Sequence, residues 1–150
     1  MLVSVLMAAA TSASSIAQPP LRPWAALVGH CWEGEAPGNA GTDKHCFESV
    51  FGGQHIRDRH VVTVGGREVY AGESLYSAKG SKVIFTYWNS LGGLGTGTAE
   101  VAGNEWRFNG TIHATAAGVE EPMTAVWKMA PNGYEVTAEG GPARFFKRAD

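Results

Sequence analysis

Glycine punctuation constrains this chain more than any other feature. The chain carries 20 glycines, many in adjacent pairs and none in a G-x-y period, so they read as turns rather than collagen or disorder. Turn signals fall at Gly52-Gly53, Gly65-Gly66, Lys79-Gly80, Gly92-Gly93, Gly103-Asn104, Ala117-Gly118, Asn132-Gly133 and Gly140-Gly141. Between them lie β-branched and aromatic runs. Strands at roughly 8–12-residue spacing with such turns are the signature of an all-β sandwich or barrel.

Several runs alternate with the period of a half-buried strand. Trp106, Phe108 and Ile112 oppose Glu105, Arg107, Asn109 and Thr111; Met123, Ala125, Trp127 and Met129 oppose Thr124 and Lys128. The run Val83 to Trp88 is apolar on both faces, which suits a strand whose outside is covered. Short turns make successive strands antiparallel, so the simplest topology is an up-and-down meander closed into a β-barrel, with a two-sheet sandwich as the alternative. Asn109-Gly110 is ambiguous, because it also fits a hairpin turn that would split its strand in two. Before the strands, Leu21 to Val28 predicts one or two helical turns, with Pro23 in the first turn and Gly29 as the stop.

The two cysteines set a register. A hairpin centred between Gly38 and Asn39 places Cys31 opposite Cys46 and Glu33 opposite Lys44, a disulfide and an opposite-charge pair on one face. The alternate residues His30, Trp32, His45 and Phe47 then point to the other face, the expected barrel interior.

At 150 residues, one domain is expected. Residues 1–17 read as a signal peptide. Leu2 to Ala10 is an apolar run too short to span a bilayer, and Ser15-Ile16-Ala17 offers a small-x-small cleavage pattern, although the segment lacks Lys or Arg. The domain is then 18–150, periplasmic or secreted, in a compartment where the cysteines oxidise. No later segment is apolar enough to insert in a membrane. A net charge of −2 gives no electrostatic reason to expect nucleic acid.

Gly29-His30-Cys31-Trp32-Glu33-Gly34 resembles the glycine-then-tryptophan opening of lipocalin-like (calycin) barrels. Leu27-Val28-Gly29 with Trp32-Glu33-Gly34-Glu35 is similar to the start of nitrobindin-type haem barrels. The same segment, with Phe51-Gly52-Gly53, Ile56-Arg57-Asp58-Arg59 and Tyr70-Ala71-Gly72-Glu73, resembles uncharacterised bacterial lipocalin-like domains. The resemblance implies that Trp32 closes the barrel floor beneath a basic residue of the last strand, offered here by Arg144, Lys147 or Arg148. Arg144 and Arg148 are the preferred choices. It also disfavours haem, because nitrobindin-type barrels ligate it through a C-terminal histidine and no His follows His113.

Other chemistry is weighed on geometry. His30-Cys31 and His45-Cys46 suggest a four-ligand metal site, but adjacent strand side chains point to opposite faces and cannot converge. His30 and His45 with His55 or His60 form a better metal subset, for which hydrogen-bonded structural histidines are the preferred reading. No metal or cofactor is therefore expected. Gly92-Gly93-Leu94-Gly95-Thr96-Gly97 lacks the Lys-Ser/Thr ending of a phosphate loop and reads as a hairpin tip or portal loop. Glu120-Glu121, beside Pro122, reads as a solvated loop pair.

The inner-face aromatics Trp32, Phe47, Phe85, Tyr87, Trp106, Phe108 and Trp127 line either a filled core or a pocket. The preferred expectation is a pocket for a small hydrophobic ligand, oriented by His45 and Tyr87. The alternatives are a cavity enzyme pairing a His with Asp58 or Glu73, a haem barrel, and an interaction module with a filled core.

Overall fold

The glycine-separated runs become ten antiparallel strands in a computed structural model that describes residues 15–150. They are β1 (Cys31–Glu35), β2 (Thr42–Val50), β3 (His55–Val64), β4 (Arg67–Lys79), β5 (Lys82–Asn89), β6 (Gly92–Ala102), β7 (Glu105–Thr115), β8 (Glu121–Ala130), β9 (Gly133–Ala138) and β10 (Arg144–Arg148). Each pairs with its sequence neighbours, and β1 also pairs with β10, so the meander closes and leaves no free edge. The expected all-β, up-and-down barrel is the observed fold.

The cysteine register holds residue for residue. Cys31 lies opposite Cys46, Trp32 opposite His45 and Glu33 opposite Lys44, and the disulfide joins Cys31 to Cys46 on the outer face. Closure against β10 pairs Glu33 with Lys147 and Trp32 with Arg148.

One expectation about turns is corrected and one ambiguity is resolved. Gly92 to Gly97 is not a loop tip but the first half of β6, and Asn109-Gly110 lies inside the continuous β7. The preceding turn is made by Asn89, whose side-chain oxygen accepts the N–H groups of Leu91 and Gly93 at 2.9 Å each. Inside the barrel, Gly97 faces Gly110 across the ladder because neither has room for a side chain. A Cβ on Gly97 would fall 2.2 Å from the Asn109 carbonyl and 2.7 Å from the Phe85 ring, and one on Gly110 would fall 2.1 Å from the Thr96 carbonyl. These glycines serve packing rather than turning. Glu121 is likewise in β8 rather than a loop, while Glu120 precedes it.

The helical segment is a 3-10 helix over Pro19–Ala26 with Pro23 inside it, and Gly29 follows in the left-handed region at φ 85°. It plugs one end of the barrel instead of covering the outside of β5. Leu21, Trp24 and Leu27 join the buried core, where Trp24 packs on Tyr76 and Trp106 at ring separations of 5.1 and 4.5 Å. The outer face of β5 is correspondingly open, with Trp88 39% exposed.

Most of the expected signal peptide lies outside the described residues. Of its last residues, Ile16 packs against the core and the Ala17 N–H donates to the Gly53 carbonyl at 2.9 Å. No helix among the described residues is long and apolar enough to cross a membrane.

Candidate functional site

Strand alternation turns one set of side chains inward, and along the barrel these form an aromatic half and a polar half. Near the helical plug, Trp106, Trp127, Tyr134 and Phe146 form a continuous stacked series. Phe108 touches Trp127 at 4.7 Å, and Phe47 and Phe85 close around them. Six of the eight residues expected to face a ligand, namely Trp32, Phe47, Phe85, Trp106, Phe108 and Trp127, therefore lie in this cluster and are buried. The other two, His45 and Tyr87, belong to the polar half.

The polar half is built on β2 and β3. Asp43, His45 and Phe47 alternate inward along β2, and Asp58 and His60 do so along β3. The register sets His45 directly opposite His60 and Phe47 opposite Asp58. His45 sits between two buried carboxylates: its Nδ1 lies 2.9 Å from Asp58 Oδ2 and its Nε2 3.4 Å from Asp43 Oδ1. His60 directs Nδ1 at the same Asp43 Oδ1 from 3.0 Å. A carboxylate only accepts, so in neutral His60 the Nδ1–H donates and Nε2 accepts the Tyr87 hydroxyl at 3.1 Å. Tyr87 is bonded in turn to the Tyr70 hydroxyl. On the other side of Asp43, Arg144 Nη1 donates to Oδ2 at 3.3 Å and to the Glu35 carbonyl at 2.9 Å.

Gly72 makes this chain of contacts sterically feasible. A Cβ there would fall 2.4 Å from His60 Nε2 and 2.5 Å from the Tyr87 hydroxyl. The Tyr70-Ala71-Gly72-Glu73 segment thus leaves a gap where the ring of one neighbour meets the hydroxyl of another.

The cluster's electrostatics follow from pairing. Burial alone would push the His45 pKa down. The Asp58 charge and hydrogen bonds to Asp43 and Asp58 outweigh it and push the value up to about 10, so His45 is an imidazolium at neutral pH. Burial would raise the Asp43 pKa, but hydrogen bonds from His45 and His60, with their charge, hold it well below the usual carboxylate range. Burial, followed by the hydrogen bond with Tyr70, raises the Tyr87 pKa, so its hydroxyl stays protonated and able to donate.

The remaining candidates disperse. His30 faces Asp150 at 3.5 Å, His55 bonds Ser77 and His113 bonds the Thr115 carbonyl, so the metal subset of His30 and His45 with His55 or His60 does not assemble as expected. Only His45 and His60 meet, and their third partner is Asp43; one ligand atom from each lies within 4.8 Å of the others. Of the two carboxylates considered for catalysis, Asp58 is inside against His45. Glu73 faces outward to Arg57 and Arg59.

Of the basic residues expected at Trp32, Arg144 lies over the Phe146 ring at 5.4 Å. Arg148 is opposite Trp32 in register with its side chain turned to Asp150. Trp32 donates its indole N–H to the Leu27 carbonyl at 3.2 Å. Outside the barrel, a groove of about 770 Å³ crosses β2 to β5, lined by residues including Lys44, Arg59, Glu73 and Trp88.

Sequence reasoning passed over Asp43 and Tyr70. The signal for Asp43 was present: in Asp43-Lys44-His45 the outer residues share a strand face. A hairpin centred between Gly52 and Gly53 also sets His45 opposite His60. Tyr70 had no comparable signal, because its meeting with Tyr87 depends on the twist of β4 against β5.

The chain matches no family model and no curated protein.

Proposed function

We propose that this barrel binds a small, largely apolar molecule in the polar half of its interior, beyond the stacked aromatics. The observation that carries the reading is the unequal distribution of inner side chains at that level. On β6 the inward positions Gly93 and Gly95 bring no side chain; Gly95 lies opposite Ile112 of β7, and Met123 of β8 lies opposite Gly110. Tyr87 of β5 stands beside this stretch, opposite Gly95 in register, and Tyr70, His60 and Arg144 follow on β4, β3 and β10. An apolar body against the glycine wall, with one polar group directed to Tyr87 or His45, matches the usual make-up of small-molecule sites. Phe85, Phe108 and Trp127 supply its floor.

The disulfide suits an oxidising compartment, and we place the protein in the periplasm or outside the cell, the N-terminal segment acting as its export signal. Native mass spectrometry of the purified chain, with titration of an environment-sensitive hydrophobic dye, tests the binding. The expected result is a co-purifying small molecule or a saturable dye signal that Met123→Trp abolishes by filling the chamber. An empty protein that leaves the dye unchanged refutes the reading.

A further inference from the structure

From the convergence of Asp43, His45 and His60, we infer that the barrel holds a divalent first-row transition ion such as zinc or iron(II). The three would-be ligand atoms are Asp43 Oδ1, His45 Nε2 and His60 Nδ1. The carboxylate oxygen lies 3.4 Å from the first nitrogen and 3.0 Å from the second. Metal–nitrogen and metal–oxygen bonds of about 2.0–2.2 Å in tetrahedral geometry place neighbouring ligand atoms about 3.3 Å apart. Two of the three edges are already close to that length.

The outward-facing ends of the same side chains strengthen the case. Metal-ligating histidines characteristically direct their second nitrogen to a carboxylate or another polar group, which fixes ring orientation. Here His45 Nδ1 is held by Asp58 at 2.9 Å, His60 Nε2 by the Tyr87 hydroxyl at 3.1 Å and Asp43 Oδ2 by Arg144 at 3.3 Å. Every proposed ligand thus has one atom near the common point and another anchored behind it. Asp58 is a positioning residue, because it reaches the ion only through His45. Two imidazoles and one carboxylate leave at least one coordination position open, the donor set of catalytic zinc and non-haem iron(II) centres.

The rings of His45 and His60 are nearly parallel, at 17°. Coordination therefore requires one imidazole to turn about χ2, a soft torsion. On binding, the ion displaces the His45 Nε2 proton to solvent; His45 keeps its Nδ1–H on Asp58, and His60 takes the tautomer whose Nε2–H donates to the Tyr87 oxygen.

This assignment does not depend on binding of an organic ligand, and its test uses the metal alone. The disulfide-intact chain is stripped with chelator and titrated with cobalt(II), whose visible d–d bands report coordination, and then with zinc. One equivalent of cobalt is expected to give bands that one equivalent of zinc removes. Asp43→Asn and His60→Gln are expected to weaken binding at least about 100-fold, and Asp58→Asn by about 10–100-fold. His30→Gln and His113→Gln should change nothing. Nitrogen NMR of the wild-type rings provides a readout independent of any variant's folding: zinc should shift His45 Nε2 and His60 Nδ1 and leave His30, His55 and His113 unmoved. No d–d bands in the wild type, or bands that persist in folded Asp43→Asn and His60→Gln proteins, overturns the site.

Discussion

Raising the pH above neutrality should destabilise this barrel, and His45 is the reason. In the fold its pKa is pushed up to about 10 from 6.5, between the carboxylates of Asp43 and Asp58. A group whose folded pKa exceeds its unfolded one stabilises fully below the unfolded value, and that stability is lost as pH rises through the folded value. The window therefore runs from about pH 6.5 to about pH 10. Each tenfold gain in proton affinity on folding is worth about 1.4 kcal/mol, so on the order of 4 kcal/mol is lost between about pH 6 and pH 9.5. That is a large part of the roughly 5–15 kcal/mol that keeps such a domain folded. Urea denaturation at stepped pH, with chelator present and a constant slope m, measures it. The loss should appear as the difference between wild type and His45→Gln, whose stability should be much flatter over the same range, because the substitution removes the titrating ring. Equal pH slopes in the two proteins would refute this, since His45 could not then be held as a cation between its two carboxylates.

Two further predictions concern the frame around the site. Reducing the Cys31–Cys46 bond, which closes a loop with a sequence separation of 15, should lower stability by about 3 kcal/mol, read as a fall in denaturant midpoint. Unchanged stability would show that the β1–β2 hairpin is equally restricted without it. Gly97→Ala should destabilise by about 1–3 kcal/mol or more, because its methyl group must displace the Phe85 ring and the Asn109 carbonyl. A neutral effect in thermal denaturation would contradict the packing role assigned to the β6 glycines.

The architecture was legible because it rests on local signals. Turn residues, period-2 alternation and a disulfide across a short hairpin are written in neighbouring positions, and antiparallel pairing between consecutive strands carries them directly into the register of β1 with β2. Where reading failed, the cause was non-local. Gly92 to Gly97 carries the composition of a loop, yet its inward glycines answer to Phe85 and Gly110 on adjacent strands, contacts invisible from within the segment. The apolar faces of β5 suggested an outer cover, whereas the 3-10 helix turned inward and plugged the barrel.

The candidate site divides in the same way. By itself the sequence determined a closed antiparallel β-barrel, the Cys31–Cys46 pairing and the inward direction of Trp32, His45 and Phe47, since each follows from periodicity and hairpin geometry. The sequence also carried the signals that bring Asp43 and His60 to His45, whereas only the tertiary structure decided that Tyr70, Tyr87 and Arg144 join them, and that the aromatics stack on one another below them. Those meetings join the consecutive strands β2 to β5 with β10 near the other end of the chain. Closure and twist bring them together, and pairwise alternation along one strand cannot specify which polar groups share the buried interior.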